Sequence, residues 1–153
     1  MIHTPRAVKR FANIYRILKA SVEPVRLLEF EGVAEAPGDF QVPMTLLAML
    51  IGSPFDCVKL FPRLVQIAAA GQDAVLFLTQ DDGSEEFVSM SMRDKLRPII
   101  SDQTCPGSSD VFAHWLPLVA RFSFDVDRAL HGEAVERNRP RLFVARQKRR
   151  YST

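Results

Sequence analysis

Over residues 4–22 the apolar positions Val8, Phe11, Tyr15, Leu18 and Val22 recur at intervals of three and four, with Ala12 and Ile14 beside them. Arg6, Lys9, Arg10, Asn13, Arg16 and Lys19 take the other positions. The spacing predicts an amphipathic α-helix with one apolar and one basic side. Its start is marked locally: the Thr4 hydroxyl can accept from an orphan N–H, and Pro5 falls where a missing N–H costs nothing. No acidic residue precedes Glu23, so none of these cations has an i,i+4 partner within the helix. Their counter-charge must come from an acidic part of the chain, a partner domain or a phosphate.

Glu23-Pro24 breaks the pattern, and residues 23–39 read as a connector ending in the turn signal Pro37-Gly38-Asp39. Val25, Leu28 and Phe30 are expected to tack it to the core. The next segment, from Phe40 or Pro43 to Ile51, is apolar almost all round, which predicts a central buried helix. Gly52 stops it. Ser53 is expected to cap a further helix over residues 54–70, with Phe55, Val58, Leu60, Phe61, Leu64, Val65 and Ile67 on its apolar side and a bend at Pro62. Gly71-Gln72-Asp73 ends that helix, and Asp73 can cap a short apolar segment over residues 74–79.

Gln80-Asp81-Asp82-Gly83 reads as a turn. Residues 84–97 read as a helix capped by Ser84, with Glu85 and Glu86 in its first turn and Val88, Met92 and Leu96 four apart. A small β-hairpin across residues 74–92, with Asp82-Gly83 in its turn, is the rival reading. Pro98 and residues 101–108 are assigned to a loop. Ser109-Asp110 opens the last core helix, lined by Trp115, Leu118, Val119 and Phe122, which Pro117 either kinks or restarts. From Asp125 the apolar pattern thins. The elements together predict an all-α, single-domain helical bundle of about five or six helices over residues 1–124, then a basic carboxyl-terminal extension over residues 125–153.

With 153 residues, 47% of them hydrophobic, the chain can bury one core. Its longest apolar window, residues 44–51, is far short of the roughly 18 residues that argue for a membrane span. The opening MIHTPRAVKR has no apolar run of a secretory signal, so a cytoplasmic location is expected. Cys57 and Cys105 lie far apart with no C-x-x-C spacing, and both read as free thiols. The net charge of +2 conceals segregation: residues 1–22 hold five cations and no acid, residues 137–153 hold seven and no acid, and all 18 carboxylates lie between. Such asymmetry speaks about partners rather than fold.

Candidate chemistry is sparse. A phosphate cradle needs clustered glycines followed by Lys and Ser/Thr, and the seven glycines here are dispersed. His3, His114 and His131 show no metal-ligand spacing, and His114, beside Trp115, reads as a structural histidine. Asp81-Asp82 and Glu85-Glu86 are accounted for as solvated groups and helix-dipole partners. No serine sits in a nucleophile elbow and neither cysteine has an activating histidine. No catalysis by this chain and no metal are therefore expected.

The segment TPRAVKRFANIYRILKA resembles the P-R-x-[IV]-K-R-x-x-N-x-[YF]-R-[IL]-[IL] helix that follows the ATPase core in KAP-type P-loop NTPases, a prokaryote-rich group. Pro5, Arg6, Val8, Lys9, Arg10, Asn13, Tyr15, Arg16 and Leu18 match in place. More loosely, LLAMLIGSPFDCVKLFPRL and HWLPLVARFSF look like the later helices of such lids, extending the likeness over most of residues 4–124. The resemblance implies a helical lid packed on a nucleotide-binding core. Arg6 would be the sensor-like cation near the nucleotide phosphates, with Lys9, Arg10, Asn13 and Arg16 on the same helix. No Walker motif occurs in this sequence, so ATP and magnesium would enter only through a P-loop partner or neighbouring subunit.

The expectation is a non-catalytic regulatory or interaction module. The alternative is nucleic-acid binding, in which the basic first helix and Arg139, Arg141, Arg146, Lys148, Arg149 and Arg150 neutralise phosphates while Phe143 or Tyr151 stacks on bases. Adsorption of the tail to anionic lipid is a third reading. A lid without its core would leave apolar groups exposed, so self-association is also expected.

Overall fold

The local signal at Thr4-Pro5 does set the first boundary. In the computed structural model, which describes residues 4–33, 36–79, 87–100 and 109–137, helix α1 spans Pro5–Ala20 and the Thr4 hydroxyl accepts from the Ala7 N–H at 3.2 Å. Its inward stripe is Phe11, Ile14, Tyr15 and Leu18. Val8, expected on that stripe, is 54% exposed, because it falls on the margin of the stripe and a turn ahead of the first residue that reaches the core.

A 3-10 turn, Pro24–Arg26, leads into the short α2, Leu27–Glu31. Phe30 is buried, whereas Val25 and Leu28 are 82% and 73% exposed. Of these three only Phe30 holds the connector, with the partly buried Leu27 beside it; so short a helix turns only one side inward. Phe30 packs against Tyr15, Phe40 and Trp115, with 5.4 Å between the Phe30 and Trp115 ring centroids. Strands β1, Gly32–Val33, and β2, Ala36–Pro37, form a two-residue antiparallel ladder that turns the chain back. Gly38 then passes so close to the end of α2 that an added Cβ would lie 2.3 Å from the Phe30 carbonyl oxygen. Asp39 N–H and Phe40 N–H donate to the Glu29 and Phe30 carbonyls at 3.2 and 3.0 Å.

Helix α3, Gln41–Gly52, buries residues on every side, among them Val42, Leu46, Leu47, Met49 and Leu50, as its all-round hydrophobicity requires. Helix α4, Pro54–Ala69, runs through Pro62 without a break and buries Cys57, Leu60, Phe61, Leu64 and Ile67. Phe55, placed with that side by its spacing, is instead 88% exposed in the first turn. Ser53 precedes α4 but its side chain makes no cap hydrogen bond. The helix ends on Gly71, at φ 68°, with the Gln72 and Gly71 N–H groups donating to the Ile67 and Ala68 carbonyls.

Asp73 caps α5, Ala74–Thr79, its carboxylate accepting from the Val75 and Leu76 N–H groups at 2.8 and 3.0 Å. Helix α6, Met90–Ile100, begins at Ser89, whose hydroxyl accepts from the Met92 N–H at 3.3 Å, and continues through Pro98. Helical backbone on both flanks rules out the hairpin across residues 74–92, and the start lies later than Ser84. Val88, Met92 and Leu96 are buried as their spacing predicts. The turn read at residues 80–83 and the acidic residues Glu85 and Glu86 lie outside the described residues.

Helix α7, Ser109–Ala120, is continuous through Pro117 and contributes Phe112, Trp115, Leu116 and Val119 to the core. It stops at Arg121-Phe122, and α8, Phe124–Arg137, follows. The expected last core helix therefore ends at Ala120, short of Phe124, and a further helix occupies the start of the stretch read as a basic extension; packed structure continues beyond residue 124, where Val126 is fully buried. The described residues hold eight α-helices, more than the sequence pattern suggests, in an all-α fold. Helix α4 packs on α7 and α8, α3 on α7 and α1, and α5 on α6. The buried residues form one core cluster, in which Phe61 and Phe112 are the largest apolar side chains that are fully buried. Each fully buried side chain of that size contributes about 1.5–3 kcal/mol of transfer free energy.

Candidate functional site

Each residue turns an α-helix by about 100°, so Arg6, Lys9, Asn13 and Arg16 share one stripe, opposite the buried stripe of α1. All four are exposed. The neighbouring cations are held. Arg10 donates from its guanidinium to the Phe122 carbonyl at 3.0 Å, and Lys19 Nζ lies 2.7 Å from Glu31 Oε1. That contact, chiefly the hydrogen bond to Glu31, raises the proton affinity of Lys19. Among the described residues, Arg6, Lys9 and Arg16 have no carboxylate partner. The structure therefore sorts the sequence-predicted cations of α1 into two that brace the fold and three that face solvent uncompensated.

The second predicted set, Arg139, Arg141, Arg146, Lys148, Arg149 and Arg150, lies outside the described residues, as do Phe143, Tyr151, His3, Cys105, Asp81 and Asp82. His131 approaches the Asp127 carbonyl at 2.8 Å within α8. Among the described residues no three His, Cys, Asp or Glu side chains are grouped to hold a metal ion. No described helix is long and apolar enough to cross a membrane. Arg63 and Arg93, in the middle of the chain, turn inward: the Arg63 guanidinium lies 5.7 Å from the Phe87 ring centre and Arg93 is buried.

A feature that sequence spacing does not reveal is a cleft of about 290 Å3 where the end of α1, the turn before α2 and the middle of α7 meet. Phe30, Trp115, Val22 and Leu118 supply its apolar wall. Glu23, Glu29 and Asp39 supply carboxylates, against the single guanidinium of Arg26. Arg26 Nε is 3.4 Å from Glu29 Oε2. Asp39 is brought in by the Gly38 approach, and its carboxylate has no hydrogen-bond or ion-pair partner among the described residues. Burial raises the proton affinity of Asp39, an effect that nearby Arg26 opposes. His114 stands edge-on to Trp115, with ring centroids 5.0 Å apart, and also lines the cleft. These residues come from three segments remote in sequence, so the sequence pattern does not bring them together; it shows only His114 beside Trp115, which reads as a structural histidine.

The fold and these two surfaces define an all-α bundle with a basic helix face that meets no carboxylate among the described residues and a separate acidic cleft with Phe30 and Trp115 at its floor. No family model matches the chain, and neither the curated proteins nor the solved structures contain a match.

Proposed function

We propose that this chain is a helical regulatory or interaction module without catalysis of its own, which presents the exposed face of α1 to an anionic group on a partner. In the form that the α1 motif resembles, the partner is the core of a KAP-type P-loop NTPase and the anion is the terminal phosphate of its nucleotide. The observation that carries this reading is the stripe of Arg6, Lys9 and Arg16, free of carboxylates among the described residues while Arg10 and Lys19 are tethered. A cation brought to a nucleotide's terminal phosphate couples the hydrolysis state to the position of the domain that carries it. Arg6, in the first turn and beside the capped start of α1, is the sensor candidate; Lys9, Asn13 and Arg16 extend the same stripe.

The test is calorimetric titration of the chain into a KAP-type P-loop core loaded with a non-hydrolysable ATP analogue or with ADP. Tighter association in the ATP-like state, lost in Arg6→Ala or Lys9→Ala, is the expected result. Absence of nucleotide-dependent association, together with salt-dependent binding to a single-stranded DNA or RNA oligonucleotide that disappears on deleting residues 138–153, would replace this reading with the nucleic-acid one.

A further inference from the structure

We propose that Arg10 is a latch with two positions: in the empty protein it holds the turn between α7 and α8 through the Phe122 carbonyl, and it swings to a phosphate-rich anion once one settles on α1. Occupation of the α1 face then loosens that turn. The latch rests on the anion-binding role proposed above for α1, and it names where occupancy of that face is felt.

Arg10 stands at the border between the tethered and the exposed cations of α1. Arg6, four residues before it, and Asn13, three after it, are its neighbours on the helix surface, about 5–6 Å away between Cβ atoms at that spacing. Both belong to the exposed stripe, and Arg10 is itself exposed, so its guanidinium is not locked in the core. Its hold on the turn is a single bond of 3.0 Å to a neutral carbonyl, and it has no carboxylate partner among the described residues.

A phosphate held by Arg6 and Lys9 offers that guanidinium a better partner. Guanidinium and phosphate pair through parallel N–H···O bonds between opposite full charges, a stronger contact than one bond to a peptide carbonyl. Lys19, the other tethered cation, differs: its partner is the carboxylate of Glu31 at 2.7 Å, already an anion. Of the two tethers, the one from Arg10 is therefore the one an incoming phosphate breaks.

The turn depends on this tether. The Phe122 and Ser123 N–H groups donate to the Val119 and Ala120 carbonyls at 3.1 and 2.9 Å, and the Asp127 N–H donates to the Ser123 carbonyl at 2.9 Å. These bonds are all local. Among the described residues, the hydrogen bond from Arg10 is the one that ties the turn to a segment remote in sequence. Phe122 still packs against the core, so losing the tether raises local opening without unfolding the chain.

Amide exchange separates a latch from ordinary binding by its sign. A ligand that only favours the native state slows exchange or leaves it unchanged, whereas release of the turn speeds it. The full chain is titrated with inorganic tripolyphosphate, against sodium chloride of equal ionic strength, while calorimetry follows binding and NMR follows exchange at the Phe122, Ser123 and Asp127 amides. Tripolyphosphate should accelerate these amides saturably by about fivefold, the worth of one ordinary hydrogen bond, and sodium chloride should not. In Arg10→Met they should exchange about fivefold faster without ligand and gain nothing on its addition. Arg6→Ala should match the parent when empty and need more tripolyphosphate for the same acceleration. Binding that Arg6→Ala weakens, but that slows the turn amides or leaves them unchanged, overturns the latch alone, and the anion-binding role of α1 stands. No saturable binding, an equal acceleration by sodium chloride, or an acceleration that persists in Arg10→Met also overturns the latch; nucleotide-dependent association with the P-loop core then decides the role of α1 separately.

Discussion

The Arg10 guanidinium reaches across from α1 to the Phe122 carbonyl, 3.0 Å away in the turn between α7 and α8. The contact joins residues far apart in the chain and gives a donor to a carbonyl of the turn, outside either helix. Arg10 therefore has structural work that its neighbours on α1 lack. Arg10→Met, which keeps the apolar stem, is expected to lower unfolding free energy by about 1 kcal/mol. Arg6→Ala, Lys9→Ala and Arg16→Ala should each stay within about 0.5 kcal/mol of the parent. Urea denaturation of the four variants separates the groups. A loss at Arg6 equal to that at Arg10 would mean that the exposed stripe serves the fold and not a partner.

Asp39 predicts an unusual dependence on pH. Its folded-state proton affinity is raised by burial above the ordinary value of 3.8. A carboxyl shifted in that direction favours the folded state fully below pH 3.8, and that contribution is lost as pH rises through its folded-state value. At neutral pH the ionised group is therefore a net cost. Asp39→Asn should melt at a higher temperature than the parent at pH 7, with the difference shrinking toward zero as pH falls below 3.8. Thermal melts across that range check it, and an unstabilised variant at pH 7 would contradict the assignment.

Gly38 lets the chain pass against the end of α2, where an added Cβ would fall 2.3 Å from the Phe30 carbonyl oxygen and 2.4 Å from the Gly32 nitrogen. Both obstacles are backbone, so neither can swing aside. Gly38→Ala is expected to cost about 1–3 kcal/mol by overpacking. It should also move Asp39 away from the cleft, visible as altered Trp115 emission in the native protein. A variant with parental stability and emission would show that the approach is looser than described.

Cys57 is fully buried in α4, and its thiol is pushed up to about 12 by burial and by the nearby Asp56. The thiolate is the reactive form, so native Cys57 should resist alkylation at pH 8. In a Cys105→Ser background, a disulfide-exchange reagent should label Cys57 only as fast as the protein opens, and immediately in denaturant. Rapid labelling of the native form would place Cys57 nearer the surface.

The parts of this fold that sequence reveals are those decided within a few residues. Thr4 and Pro5 start α1, Asp73 starts α5 and Gly71 ends α4, because caps and left-handed turns act on the adjacent backbone alone. Helix α3 is recognisable because an all-apolar helix has nowhere to go but inside. The break after α7 is less visible: Arg121-Phe122-Ser123 contains neither Gly nor Pro. Its remaining signal is Ser123 followed by Asp125 and Asp127 in the first turn of α8. Val25, Leu28 and Phe55 mislead for the opposite reason, since apolar character states a preference for burial without supplying a neighbour to provide it. The basic stripe of α1 is legible because it lies on one helix; the acidic cleft is not, because its walls come from residues 21–30, 39 and 114–118, joined only by tertiary packing.

The seating of α8 on α4 has a practical consequence for anyone dividing this polypeptide. Val126 plugs the shared core just beyond the bend at Ser123. A recombinant fragment trimmed at residue 124 would strip a greasy flank of α4 bare and should precipitate, so a truncation meant to yield well-behaved material has to retain everything through Arg137.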